Sequence, residues 1–187
     1  MEAFLVSTGI VALAEIGDKT QLLALLLAAR YRKPGPIVAG IFVATLLNHF
    51  AAAAVGQWIT TLLGPDVLRW ILGASFIAMA VWMLIPDKLD DDSRLFDRFG
   101  VFGATAIAFF LAEMGDKTQI ATVALSARFD QLAMVVAGTT LGMMIANVPA
   151  VLIGDAAANK LPKRAVHGVA AAIFAVLGGI TLLYPLS

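Results

Sequence analysis

The segment Ala14-Glu15-Ile16-Gly17-Asp18-Lys19-Thr20-Gln21 returns as Ala112-Glu113-Met114-Gly115-Asp116-Lys117-Thr118-Gln119. Both copies lie inside apolar stretches long enough to cross a bilayer. Glu, Asp and Lys at mid-membrane each cost about 2.5–3.5 kcal/mol on insertion scales. A chain that carries all three in one span, twice, needs a fold that pairs them or turns them toward a cavity. Intramembrane charges of this kind ordinarily serve transport.

The surroundings are those of a polytopic membrane protein. Of the 187 residues, 60% are hydrophobic and only 14% charged, with mean hydropathy +0.90. Soluble domains carry roughly 25% charged residues. Net charge is zero, which points to no nucleic-acid partner. The absence of cysteine removes disulfides, thiolate nucleophiles and soft metal sites. The first apolar stretch has no basic segment before it and holds a motif copy, so it is not expected to be a cleaved signal peptide.

Apolar runs of bilayer-crossing length predict an all-α fold of six spans, near 4–29, 37–63, 67–85, 100–127, 132–154 and 166–185. Arg30 to Pro36, Gly64-Pro65-Asp66, Pro86 with the charges after it, and Asn159 to Arg164 punctuate them. Alternate loops hold Arg30, Arg32 and Lys33; Lys88, Arg94 and Arg98; and Lys160, Lys163 and Arg164. The opposite side holds only Arg69 and Arg128. The positive-inside rule then makes the three basic loops cytoplasmic and both termini extracytoplasmic. The run Asp90-Asp91-Asp92 reads as a solvated linker.

The motif copies are 98 residues apart, and Gly40 with Gly138 and Gly56 with Gly154 keep that offset. Residues 1–86 and 99–187 therefore read as three-span repeats joined by a cytoplasmic linker at 87–98. An odd number of spans inverts the second repeat, the plan of many secondary transporters whose sites lie at the midplane between repeats. Gly138 with Gly142, and Gly40 with Ala44, suit close helix packing. Pro149 is placed to kink the fifth span. Trp58, Trp70 and Tyr184 read as interface anchors. Met79, Met83, Met134, Met143 and Met144 read as gap-fillers, and His167 as interfacial.

On a continuous helix Glu15 and Asp18 share a face, as do Glu113 and Asp116. Lys19 and Lys117 follow the glutamates by four residues, the favourable order for an ion pair. Such pairs leave Asp18 and Asp116 uncompensated, a total of −2 that one divalent cation balances. Gly17 and Gly115 weaken the helix, and local unwinding would free carbonyls. The oxygen ligand set Glu15, Asp18, Gln21, Glu113, Asp116 and Gln119 suits Ca²⁺, Mn²⁺ or Mg²⁺. Thr20 and Thr118 point away from it on an unbroken helix and are expected to bond backbone carbonyls. Asn48, His49 and Asn147 lie at similar depth. They serve either as cargo or proton contacts or as interhelical hydrogen bonds. Carboxylates in a dry site gain proton affinity unless a cation is present, so proton and metal would compete, the minimal basis of antiport.

The doubled Glu-x-Gly-Asp-Lys-Thr-Gln signature in a duplicated six-span chain resembles the transmembrane protein 165 family of cation/proton exchangers, which includes the bacterial MneA-type manganese exporters. The resemblance covers essentially the whole chain. It implies exchange of Mn²⁺, or Ca²⁺ in some members, for protons, with Glu15, Asp18, Glu113 and Asp116 at the site. The chain is short and lacks the N-terminal extension and long central loop of eukaryotic relatives, so it resembles a bacterial form, with Mn²⁺ efflux across the cytoplasmic (inner) membrane. The divalent cation is cargo and no cofactor is expected; protons and the lipid bilayer are the other partners, and a homodimer is compatible with the sequence. Alternatives are Ca²⁺/H⁺ antiport through the same site, and a membrane scaffold or assembly factor. An enzyme is not expected, because no nucleophile–base pair can be named.

Overall fold

A computed structural model of the chain describes residues 1–82, 84, 98–153 and 163–183. Among them are eight helices and no strand: α1 (Glu2–Glu15), α2 (Lys19–Tyr31), α3 (Pro34–Leu62), α4 (Pro65–Trp82), α5 (Gly100–Glu113), α6 (Lys117–Phe129), α7 (Leu132–Ile153) and α8 (Lys163–Leu183). Expectations that rest on Met83, Pro86, Lys88, the Asp90–Asp92 run, Arg94, Gly154, Lys160, Tyr184, or the side chains of Lys163, Arg164 and His167 fall outside the described residues.

The predicted first and fourth spans are each two helices rather than one. Ile16 and Asp18 are extended, and Gly17 between them has φ +83. Met114, Gly115 (φ +74) and Asp116 repeat the same turn. Positive φ is routine only for glycine, so the motif glycine is the break itself. Among the described residues three helices are long and apolar enough to cross a membrane: α3, α4 and residues Leu132–Leu152 of α7. Pro149 sits inside α7, which continues past it.

Helix boundaries in the first half recur 98 residues later. The pair α1 and α5 has 14 residues each, and α2 and α6 have 13 each. Even the caps match: Arg32 (φ 52) and Asp130 (φ 49) close α2 and α6 in the left-handed conformation, donating to Ala28 O and Ser126 O. The packing follows the same offset. A Cβ at Gly40 would lie 2.8 Å from Thr105 Cβ and 2.9 Å from Phe102 O, and one at Gly138 would meet Ser7 and Phe4 in the same way. These glycines let α3 reach α5 and let α7 reach α1 at backbone distance, as their spacing predicted.

The helices form two apolar cores. One gathers Ala3, Ile10 and Ala14 of α1 with Ala121, Ala124 and Leu125 of α6, under Phe76 of α4 and Phe174 of α8. The other gathers Leu23 and Leu27 of α2, Ile37 and Ile41 of α3, Phe109 of α5 and Val151 of α7. Phe76 and Phe174 stack with centroids 6.2 Å apart. The α4–α8 pair thus covers α1 and α6, while α2 and α5 have no such cover among the described residues. Trp58 and Trp70 are exposed, whereas Met79 and Met143 fill the interior.

Candidate cation site

The broken helices bring the two motif copies face to face. Glu15 ends α1, Asp18 caps α2, Glu113 ends α5 and Asp116 caps α6. All four carboxylates are buried. One oxygen each from Glu15, Glu113 and Asp116 lie within 4.8 Å of one another. Oxygens that share one hard divalent ion, at metal–oxygen distances near 2.0–2.6 Å, lie at most about 4–5 Å apart, so the spacing suits a single ion. Glu15 Oε1 and Glu113 Oε1 have no hydrogen-bond partner among the described residues. The N-termini of α2 and α6 start at this cluster, and their dipoles favour negative charge there.

The lysines pair across the two copies rather than within each. Lys19 Nζ lies 2.8 Å from Asp116 Oδ1, and Lys117 Nζ lies 3.5 Å from Asp18 Oδ1. The four-residue rule that linked each lysine to its own glutamate assumes a continuous helix. The glycine turn interrupts it, and each lysine starts a new helix aimed at the opposite copy. The formal charge is still −2, but the surplus sits on Glu15 and Glu113 instead of on the aspartates.

The threonines also differ from expectation. The Thr20 hydroxyl donates to Glu15 Oε2. Thr118 Oγ1 donates to Glu113 Oε2 at 3.0 Å and lies 3.4 Å from Asp116 Oδ2. With the helix broken, both threonines fall in the first turn of a new helix, facing back to the glutamates. Each therefore fixes one glutamate oxygen and leaves the other for a ligand.

The glutamine amide oxygens accept from the motif glycine N–H groups: Gly17 N to Gln21 Oε1 at 2.9 Å, and Gly115 N to Gln119 Oε1 at 2.7 Å. These oxygens, expected from the sequence to be cation ligands, instead hold the turn. The amide nitrogens tie the turn to the long helices. Gln21 donates to Ala146 O at 2.9 Å, and Gln119 lies 3.4 Å from Asn48 Oδ1. Asn48 in turn donates to Phe110 O at 3.0 Å, so it makes the interhelical bonds considered for it. Asn147 bonds within its own helix, to Met143 O at 3.1 Å. His49 is buried, and neither ring nitrogen has a partner among the described residues. The Ala146 carbonyl has no signature in the sequence, because a backbone acceptor leaves no mark among the side chains.

Known proteins resemble this chain over nearly its whole length. The chain is 54% identical over 185 residues to a Vibrio cholerae serotype O1 protein named "Putative manganese exporter", covering 98% of this chain and 92% of that one. It is 26% identical to "GDT1-like protein 4" of Oryza sativa subsp. indica, over 98% of this chain and 74% of the relative. A GDT1-like protein of Synechocystis is also 26% identical, over 93% of each chain. No solved structure matches. The family model described as "Divalent cation/proton antiporter GDT1" matches residues 3–91 and 101–186, two segments that start 98 residues apart like the motif copies. With only helices among the described residues, three of them long and apolar enough to cross a membrane, the chain is a membrane transport protein rather than an enzyme, and it belongs to the GDT1 family of divalent cation/proton antiporters.

Proposed function

We propose that this chain exports Mn²⁺ from the cytoplasm in exchange for protons, through one site built from both motif copies. The observation that carries the reading is the buried cluster of Glu15, Glu113 and Asp116, one oxygen of each lying within 4.8 Å of the others, with a glutamate oxygen from each copy lacking a hydrogen-bond partner among the described residues. Glu15 and Glu113 are the principal ligands. Asp18 and Asp116, paired with Lys117 and Lys19 in the metal-free site, complete it. Protons and the divalent ion compete for the same oxygens, so loading with one requires release of the other.

The 98-residue recurrence of helices, caps and contacts supports a six-span architecture of two inverted repeats, residues 1–86 and 99–187, in which each broken helix pair counts as one span. The distribution of Lys and Arg supports extracytoplasmic termini in a bacterial inner membrane. Hard oxygen ligands accept Ca²⁺ as readily as Mn²⁺; the name of the Vibrio relative favours Mn²⁺.

The test is Mn²⁺ and Ca²⁺ flux in proteoliposomes under an imposed pH gradient, comparing wild type with Asp18→Asn and Asp116→Asn. Mn²⁺ flux that follows the pH gradient and falls in both variants is expected. Undiminished flux in both variants defeats the site, and flux indifferent to the gradient excludes proton coupling.

A further inference from the structure

The two cross-copy ion pairs are chemically identical but not equivalent in place. The Lys19 side chain is 20% exposed and its pair is tight, at 2.8 Å. Lys117 is 2% exposed and its pair is looser, at 3.5 Å. The turn that adjoins Asp116, the partner of Lys19, is also the more open of the two. Met114 is 57% exposed and Gly115 is exposed, whereas their counterparts Ile16 and Gly17 are half-buried. The covering of the helices explains the difference: α4 and α8 pack over α1 and α6, and nothing comparable covers α2 and α5 among the described residues.

We propose that Lys19 and Lys117 are the two gates of the cation site. Each is a tethered counter-cation that holds the aspartate of the opposite copy until cargo displaces it. In the state seen here the Lys19–Asp116 lock lies on the accessible side and the Lys117–Asp18 lock on the sealed side. Turnover exchanges these environments. A divalent ion entering past Lys19 gains the two glutamates and Asp116. It meets no open path beyond, because Lys117 remains seated on Asp18. Two related halves that occupy different environments are what alternating access between repeats requires. This inference rests on the carboxylate site proposed above, and Lys19 and Lys117 act in it as positioning residues, not as ligands.

The chain has no cysteine, so single-cysteine reporters can be placed directly. Met114→Cys and Ile16→Cys are introduced separately, and reaction with a water-soluble, membrane-impermeant maleimide is timed in metal-free protein. Met114→Cys is expected to react at least roughly fivefold faster, the lower end of typical coupling between two states. Adding Lys117→Gln should raise labelling at position 16 and lower it at position 114. Lys117→Arg, which keeps the charge, should restore the original ratio and shows that the glutamine effect is not a folding defect. Equal labelling at the two positions, or labelling indifferent to Lys117→Gln, overturns the gates. Mn²⁺ binding is measured in parallel on Asp116→Asn. If it is lost while labelling ignores the lysines, the gates fail and the site stands. If it is unchanged, the site itself is wrong.

Discussion

The pairing of lysines across the motif copies gives the most direct quantitative test. Lys117 and Asp18 are only 2% and 3% exposed, with Nζ and Oδ1 3.5 Å apart. At an effective dielectric of 20 that separation corresponds to an attraction of about 5 kcal/mol. Removing one partner of a buried pair typically costs about 3–5 kcal/mol, since the other charge is left uncompensated. Lys117→Met should therefore lower the stability of metal-free protein by roughly 3 kcal/mol, and Asp18→Asn by a similar amount. The double variant buries neither charge and should recover about 1–3 kcal/mol of the summed loss, the usual coupling of contacting residues. The parallel cycle with Lys117→Met and Glu113→Gln tests the within-copy pair that helical spacing suggested, and should give markedly weaker coupling. The assay is thermal unfolding in detergent followed by tryptophan fluorescence. For a chain of this size about 1 kcal/mol moves the midpoint by roughly 2–4 °C, so the single variants should shift it by about 6–12 °C. Stronger coupling to Glu113 than to Asp18 would refute the cross-copy arrangement.

Other outcomes follow from the same geometry. Gly17→Ala and Gly115→Ala force a side chain into positive φ, at about 1–2 kcal/mol each, and should reduce flux in proteoliposomes more than they reduce the amount of folded protein. Gly142→Leu pushes a side chain toward Thr8 O, 2.7 Å from where its Cβ would lie; a loss of about 1–3 kcal/mol is expected, read as a lower unfolding temperature. Thr118→Val removes the 3.0 Å donor to Glu113. It should weaken Mn²⁺ binding by calorimetry roughly tenfold, in line with about 1.5 kcal/mol for a hydrogen bond to a charged group, and Thr118→Ser should restore it.

Much of this molecule was legible in one dimension. The doubled motif marked the charged residues that end up together, because burying Glu, Asp and Lys in an apolar chain is too costly to leave them apart. The 98-residue offset anticipated corresponding helices, and the glycines at 40, 138 and 142 lie at close helix contacts as their spacing suggested. Gly17 and Gly115 are legible as weak points of the helix, but the four-residue spacing of lysine and glutamate has meaning only along an unbroken one. The turn therefore gives Lys19, Thr20 and Gln21 neighbours that helical spacing does not predict.

What the sequence determined alone is composition and periodicity: an apolar helical chain, duplicated, with acids and lysines held in its interior. Those properties are local, set by hydrophobicity and by which residues tolerate a helix. Which lysine neutralises which aspartate, which glutamate oxygens have no hydrogen-bond partner among the described residues, and which of the two ion pairs is the more exposed are relations between residues about a hundred positions apart. Only the tertiary structure decided them, since a positive-φ turn redirects each new helix toward the opposite copy and packing of α4 and α8 covers α1 and α6, one helix from each copy, and leaves α2 and α5 without such cover among the described residues.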